Sequence, residues 1–114
     1  MYDRLKKFGK WGKLHEESEL LAMDAERLRK TSPSRAREVS LQAAKIEEEC
    51  LGHIPWEKPV EMYEAIVVSA AVLYFKGGDY TSAQRVLDNY SEKVTMPYPK
   101  MRLDEVVEAL TKMN

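Results

Sequence analysis

A single cysteine in 114 residues excludes an intramolecular disulfide framework, and Cys50 fits a chain that works in a reducing compartment. Histidine is almost as scarce: His15 and His53 are too few and too scattered to make a recognised metal-ligand set. An excess of either charge is missing too, since 18 Lys and Arg face 19 Asp and Glu. The chain therefore carries no overall polyanion-binding signature, and any basic site must be local. The longest apolar stretch, AIVVSAAVLYF, is too short to span a bilayer. The N-terminal MYDRLKKFGKWGKLHEE has neither an apolar core nor a small-residue cleavage site, which predicts a cytoplasmic rather than a secreted chain. No segment alternates with period two over a strand's length, so the expected fold class is all-α.

Signatures of chemistry are equally sparse. No serine sits in a glycine frame, and neither histidine stands in a motif that would orient it against a nucleophile. The paired glycines of YFKGGDYTSA follow a helix-like run rather than a strand, and no Lys-Ser or Lys-Thr pair follows them, which argues against a phosphate loop. Glu49 and His53 fall one helical turn apart near Glu48 and Cys50. Cys50, however, lies on an apolar stripe and reads as a small core residue, while His53 beside Gly52 reads as a residue of a helix C-terminus. The mixed-charge KIEEE reads as a solvated face. The expectation is a protein without catalytic activity or cofactor.

What the sequence does hold is helical periodicity. From Leu14 to Lys30, Leu14, Leu21, Ala25 and Leu28 share one side. TSPS stops this helix and starts the next, with Ser32 placed to cap and Pro33 at the first helical position. The second stripe is Ala36, Val39, Ala43, Ile46 and Cys50, closed by Gly52 and a linker holding Pro55 and Pro59. A third helix, about Val60 to Lys76, is apolar on almost every face from Ala65 to Phe75 and so needs neighbours on most sides. Asp79 is placed to cap a fourth helix, about Tyr80 to Lys93, with Ala83, Val86, Leu87 and Tyr90 inward. TMPYP interrupts the chain again, and Leu103, Val106, Val107, Leu110 and Met113 mark a short final helix. Short connections predict two antiparallel hairpins, with residues 1–13 as a basic and aromatic arm and residues 14–114 as one helical domain.

The stretch AIVVSAAVLYFKGGDYTSAQRVLDNY resembles a tetratricopeptide repeat. Ala70 and Ala71 allow close helix approach, Tyr74 fills the space between helices, GDY turns the chain and Ala83 opens the second helix. The resemblance covers about half of the chain; over residues 14–50, TSPSRA replaces the glycine turn. The wider layout, SPSRAREVSLQAAKIEEECLGHIPWEKP followed by VVSAAVLYFKGGDYTSA, is similar to small bacterial tetratricopeptide-like proteins of unassigned function. The resemblance implies a scaffold whose first helices line a partner-binding groove. On this chain the groove side would be Ala65, Val68, Val72, Phe75 and Lys76 of the third helix, with Glu19, Ala22, Glu26, Arg29 and Lys30 of the first. The strip is apolar where the family's carboxylate-gripping grooves carry Lys, Arg and Asn.

An apolar strip left in water costs solubility, so it calls for a cover. The candidates are the N-terminal segment, the final helix, a second copy of the chain, or an apolar helix of a partner. The expected function is protein–protein interaction or self-association through Val68, Val72 and Phe75, with Lys76, Arg29 and Lys30 at the rim favouring an acidic neighbour. The alternative places function in the arm. Arg4, Lys6, Lys7, Lys10 and Lys13, interleaved with Tyr2, Phe8 and Trp11, suit nucleic acid or an anionic membrane surface; equally, Phe8 and Trp11 can pack on the core while the lysines stay solvated.

Overall fold

Helix α3 (Val60–Lys76) is the element around which the others assemble. In the computed structural model, which describes residues 9–54 and 60–113, it packs against α2 (Pro33–Leu51), α4 (Tyr80–Tyr90) and α5 (Pro97–Lys112), while α1 (Lys10–Leu28) packs on α2. Contact on three sides is what its nearly continuous apolar surface requires: Ile66, Val67, Ala70 and Ala71 are fully buried. A single 3-10 turn, Ser91–Lys93, joins α4 to the segment before α5. The described residues contain no strand, and the protein is all-α. One hydrophobic cluster runs from Trp11 to Leu110 and draws on all five helices.

The first hairpin is closed along a seam that is partly polar. Cys50 Sγ donates to the Trp11 carbonyl at 3.1 Å, His15 Nδ1 meets Glu47 Oε1 at 2.9 Å, and Ser18 Oγ donates to the Ala43 carbonyl at 3.0 Å. Numbers rise along α1 as they fall along α2, which fixes the pair as antiparallel. Ala43 and Ala44, both fully buried, let the two backbones come close enough for these bonds. The buried side of α1 is accordingly Trp11, His15, Ser18 and Ala25, while Leu14, Leu21 and Leu28 are half-buried at its flanks. KIEEE is not a solvated face: Glu47 is buried and Glu48 half-buried.

Glu48 instead ties three helices together. It accepts from Tyr74 Oη of α3 at 2.6 Å and from both Nε and Nη2 of Arg85 of α4, at 3.1 and 2.6 Å. The Arg85 guanidinium lies 5.6 Å from the centre of the Tyr74 ring, within cation–π range. Burial alone would raise the Glu48 pKa, but hydrogen bonds from Arg85 and Tyr74 hold it below the ordinary value.

The GGDY turn divides its work among three residues. Gly77 is buried against α2, where an added Cβ would lie 2.4 Å from Leu41 Cδ2 and 3.2 Å from the Arg37 carbonyl. Gly78 takes φ 83°, the left-handed conformation that ends a helix, and the Asp79 and Gly78 amides bond back to the Tyr74 and Phe75 carbonyls. Asp79 Oδ1 then accepts from the Ser82 amide at 3.0 Å and caps α4. At the other turn, Pro33 opens α2 as expected, but Ser32 makes no side-chain cap.

Several boundaries differ from the periodic reading, and α4 ends at Tyr90, its expected last turn to Lys93 being 3-10. α1 begins at Lys10 rather than Leu14, because Trp11 and His15 belong to its buried side. α5 is 16 residues long and takes Pro97 at its first position, where a missing N–H is harmless. The break therefore lies in residues 94–96, and the prolines start the helix.

Gly77→Ala is expected to destabilise the fold by about 1–3 kcal/mol through overpacking on Leu41. Adding Leu41→Ala should recover part of that loss in urea unfolding, giving a double mutant less destabilised than the two single changes predict together. The seam between α1 and α2 sets a pH dependence. Burial lowers the His15 pKa, but Glu47 on one ring nitrogen and Glu19, 3.1 Å from the other, outweigh it and raise it above the ordinary 6.5. Folding then favours the protonated ring, so this contribution is fully present below about pH 6.5 and is lost as pH rises through the higher folded value. Thermal unfolding should show stability falling as pH rises above about 6.5, and His15→Gln should flatten that slope.

Candidate functional site

The groove on this molecule depends on where α5 begins. Glu64, in the first two turns of α3, is buried, and a carboxylate out of water must be met by donors. It accepts from the Thr95 amide at 3.2 Å, the Met96 amide at 3.0 Å and Thr95 Oγ1 at 3.4 Å. These groups immediately precede α5, so Glu64 fixes the start of that helix beside the N-terminal part of α3. Leu103, Val106 and Leu110 then bury its inner side.

With α5 so placed, α1, α3 and α5 together border an open groove of about 400 Å³. Its floor is α3, through Ala65, Val68, Ser69 and Val72, with Leu73 and Lys76 toward one end. Ala22 stands on the α1 side; Tyr98, Pro99 and Arg102 stand on the α5 side. Tyr98 is 67% exposed, an aromatic ring at the lip with little covering it. The small Ala65 and Ser69 leave room above the floor, and the β-branched Val68 and Val72, each half-buried, keep it stiff. α5 forms a wall of the groove and does not cover it.

The residues expected at this site do not all converge on it. Val68, Val72 and Lys76 line the groove, as do Ala65 and Ala22. Phe75 is turned toward the GGDY turn, where its ring packs on Tyr80 with centroids 5.2 Å apart, and it does not line the groove. Arg29 lines a neighbouring pocket of about 190 Å³ that Lys76 shares. Lys30 is exposed. Glu26 links the two sides, accepting from Arg29 Nη1 at 2.8 Å and from Lys76 Nζ at 3.5 Å; the Arg29 hydrogen bond and the Lys76 charge hold its pKa below the ordinary value.

Sequence reasoning did not single out Tyr98, Arg102 or Glu64. Tyr98 and Arg102 precede or flank the apolar stripe of α5 and carry no motif. Glu64 did leave a trace, since it shares one helical side with Val67 and Ala71, and a carboxylate on an apolar side signals a buried acceptor.

Of the alternative basic arm, Arg4, Lys6, Lys7 and Phe8 lie outside the described residues. Lys10 and Lys13 are exposed on the first turns of α1, and Trp11 is buried in the core. Its indole is therefore withheld from stacking on a base.

Glu49 and His53 are exposed, and among the described residues no group of three or more His, Cys, Asp or Glu could hold a metal ion. Burial pushes the Cys50 thiol up to about 12, which leaves it a poor nucleophile at neutral pH. A larger cleft of about 620 Å³ lies between α4 and the C-terminal end of α5, lined by Tyr80, Gln84, Arg85, Asp88 and Met113 among others. Two of its polar groups are already engaged, Arg85 by Glu48 and Asp88 by Gln84. No helix of the described residues is long and apolar enough to cross a membrane.

Removing the Glu64 carboxylate should loosen the α5 wall. Glu64→Ala is expected to cost about 2–3 kcal/mol, because it leaves amide donors unmet. In hydrogen exchange, Thr95 and Met96 should lose protection while the α1–α2 seam keeps its own. No protein-family model, curated protein or solved structure matches this chain.

Proposed function

We propose that the chain is a non-catalytic protein–protein interaction or self-association module, and that the groove between α1, α3 and α5 is its binding surface. The observation that carries this reading is an apolar floor, Val68 and Val72, lying open beside a largely exposed Tyr98. Hiding large side chains of this kind is worth about 1.5–3 kcal/mol each, and tyrosine is among the residues that most often anchor protein interfaces. The arrangement of the first, third and fifth helices around one concavity agrees with the groove that tetratricopeptide-like scaffolds place there, and the GGDY turn supports the same reading.

Val72→Asp is expected to weaken the interaction by about tenfold or more, a loss of at least roughly 1.4 kcal/mol, in a chain that remains folded by its helical content. Tyr98→Ala should act in the same direction. Affinity capture from the native host, together with light scattering across a concentration series, reads both a partner and self-association. If the intact chain and both folded variants capture the same proteins and show the same mass, the groove is not the binding surface.

A further inference from the structure

The groove carries charge of one sign. Its charged lining residues are Lys76 on α3 and Arg102 on α5, with no carboxylate among them. At Lys76 it adjoins the smaller pocket, whose charged lining is again wholly basic: Arg29, Arg37 and Lys76. Four cations thus border one surface. Two neighbouring carboxylates offset part of them, Glu26 on Arg29 and Lys76, and Glu105 on Arg102 at 3.0 Å. Four cations less two anions leaves two positive charges in excess on this surface, in a chain whose formal net charge is -1.

The floor also constrains the shape of an occupant. From Ala65 to Lys76 it advances eleven residues of helix, about 16 Å or three turns. A strand laid there would face mainly side chains, because mid-helix α1 and α3 have satisfied their own main-chain groups, and the amides it turned to the floor would go unmet. A helix brings its own hydrogen bonds and presents apolar side chains one turn apart to Val68 and Val72.

We propose that the occupant is an amphipathic helix of a partner protein, about three turns long, with an apolar stripe on Val68 and Val72 and a carboxylate at the end that lies over Lys76, within reach of Arg29 and Arg37. The proposal rests on the groove being the binding surface. A second copy meeting the first groove to groove across a two-fold axis would set this basic surface against itself, so the charge excess favours a different chain.

The test pans the full chain against a phage-displayed library of random peptides of about sixteen residues, enough for four helical turns. The clones are then resynthesised and measured by fluorescence anisotropy. The expected binders lose affinity to Val72→Asp, become helical on binding, and carry Asp or Glu toward one end. They should weaken tenfold or more on Lys76→Glu or Arg29→Glu, and weaken as salt rises. Groove-dependent binders that are neutral or basic, that stay extended, or that bind Lys76→Glu unchanged overturn this proposal and leave the groove as a binding surface. Failure to find any binder sensitive to Val72→Asp overturns the groove with it. A groove-to-groove dimer of the intact chain that Val72→Asp dissolves overturns the choice of partner.

Discussion

A carboxylate shut away from water, Glu64, sets the geometry on which the groove depends. Isolated in the interior it would be unfavourable, and the three donors it accepts from Thr95 and Met96 are what make its burial tolerable. The same donors belong to the backbone that enters α5. One interaction therefore offsets the cost of the buried charge and determines where a 16-residue helix begins. Pro97 then starts that helix without wasting a hydrogen bond, and Leu103, Val106 and Leu110 hold it down. Tyr98 and Arg102 reach the groove only because the helix begins there. With α5 displaced, α3 would present an open strip with a wall on one side.

The opposite wall is secured differently. α1 reaches the groove through Ala22, and its attachment to α2 is a seam in which bonds from Cys50, His15 and Ser18 alternate with small residues. A seam of leucines would hold by area and tolerate sliding. A seam of directed bonds fixes register, since a shift by one turn would leave Glu47 without its imidazole partner in a dry interface. The groove thus has an apolar floor whose stability comes from packing on three sides, and two walls whose positions are specified by buried polar contacts.

How far this was legible in the sequence follows from the same division. The all-α class, the two hairpins, the Asp79 cap and the need of α3 for several neighbours were readable, because each is a local or periodic property of side chains. The role of Glu47 was readable in principle and missed: Ala36, Ser40, Ala43, Glu47 and Cys50 recur at alternating steps of four and three, so Glu47 sits on the buried stripe, and its acidic neighbours made it look solvated. His15 was obscured likewise by the leucines beside it. Val68, Val72 and Lys76 could be placed on one side of α3 by spacing alone. Phe75 is also near that side, but its χ1 freedom let it turn to Tyr80, a choice made by the neighbouring turn and not by periodicity. The α5 wall was out of reach of the sequence, because it rests on a contact between residues 64 and 95–96 that no local pattern announces.

The stiffness of the floor bears on how the groove selects what it holds. Val68 and Val72 are β-branched and anchored in a helix that packs on three neighbours, so the floor cannot deepen to suit a large side chain. Discrimination must then come from the walls and the ends. Tyr98 and Arg102 are placed by α5, and Lys76 is steadied by Glu26 from α1, so the basic end of the groove draws on both α1 and α3. Glu26 already occupies part of the field that an incoming carboxylate would enter. An acid arriving there meets Arg29 and Lys76 partly neutralised and gains less than it would from two free cations, so the apolar stripe supplies most of the affinity and the charge decides orientation.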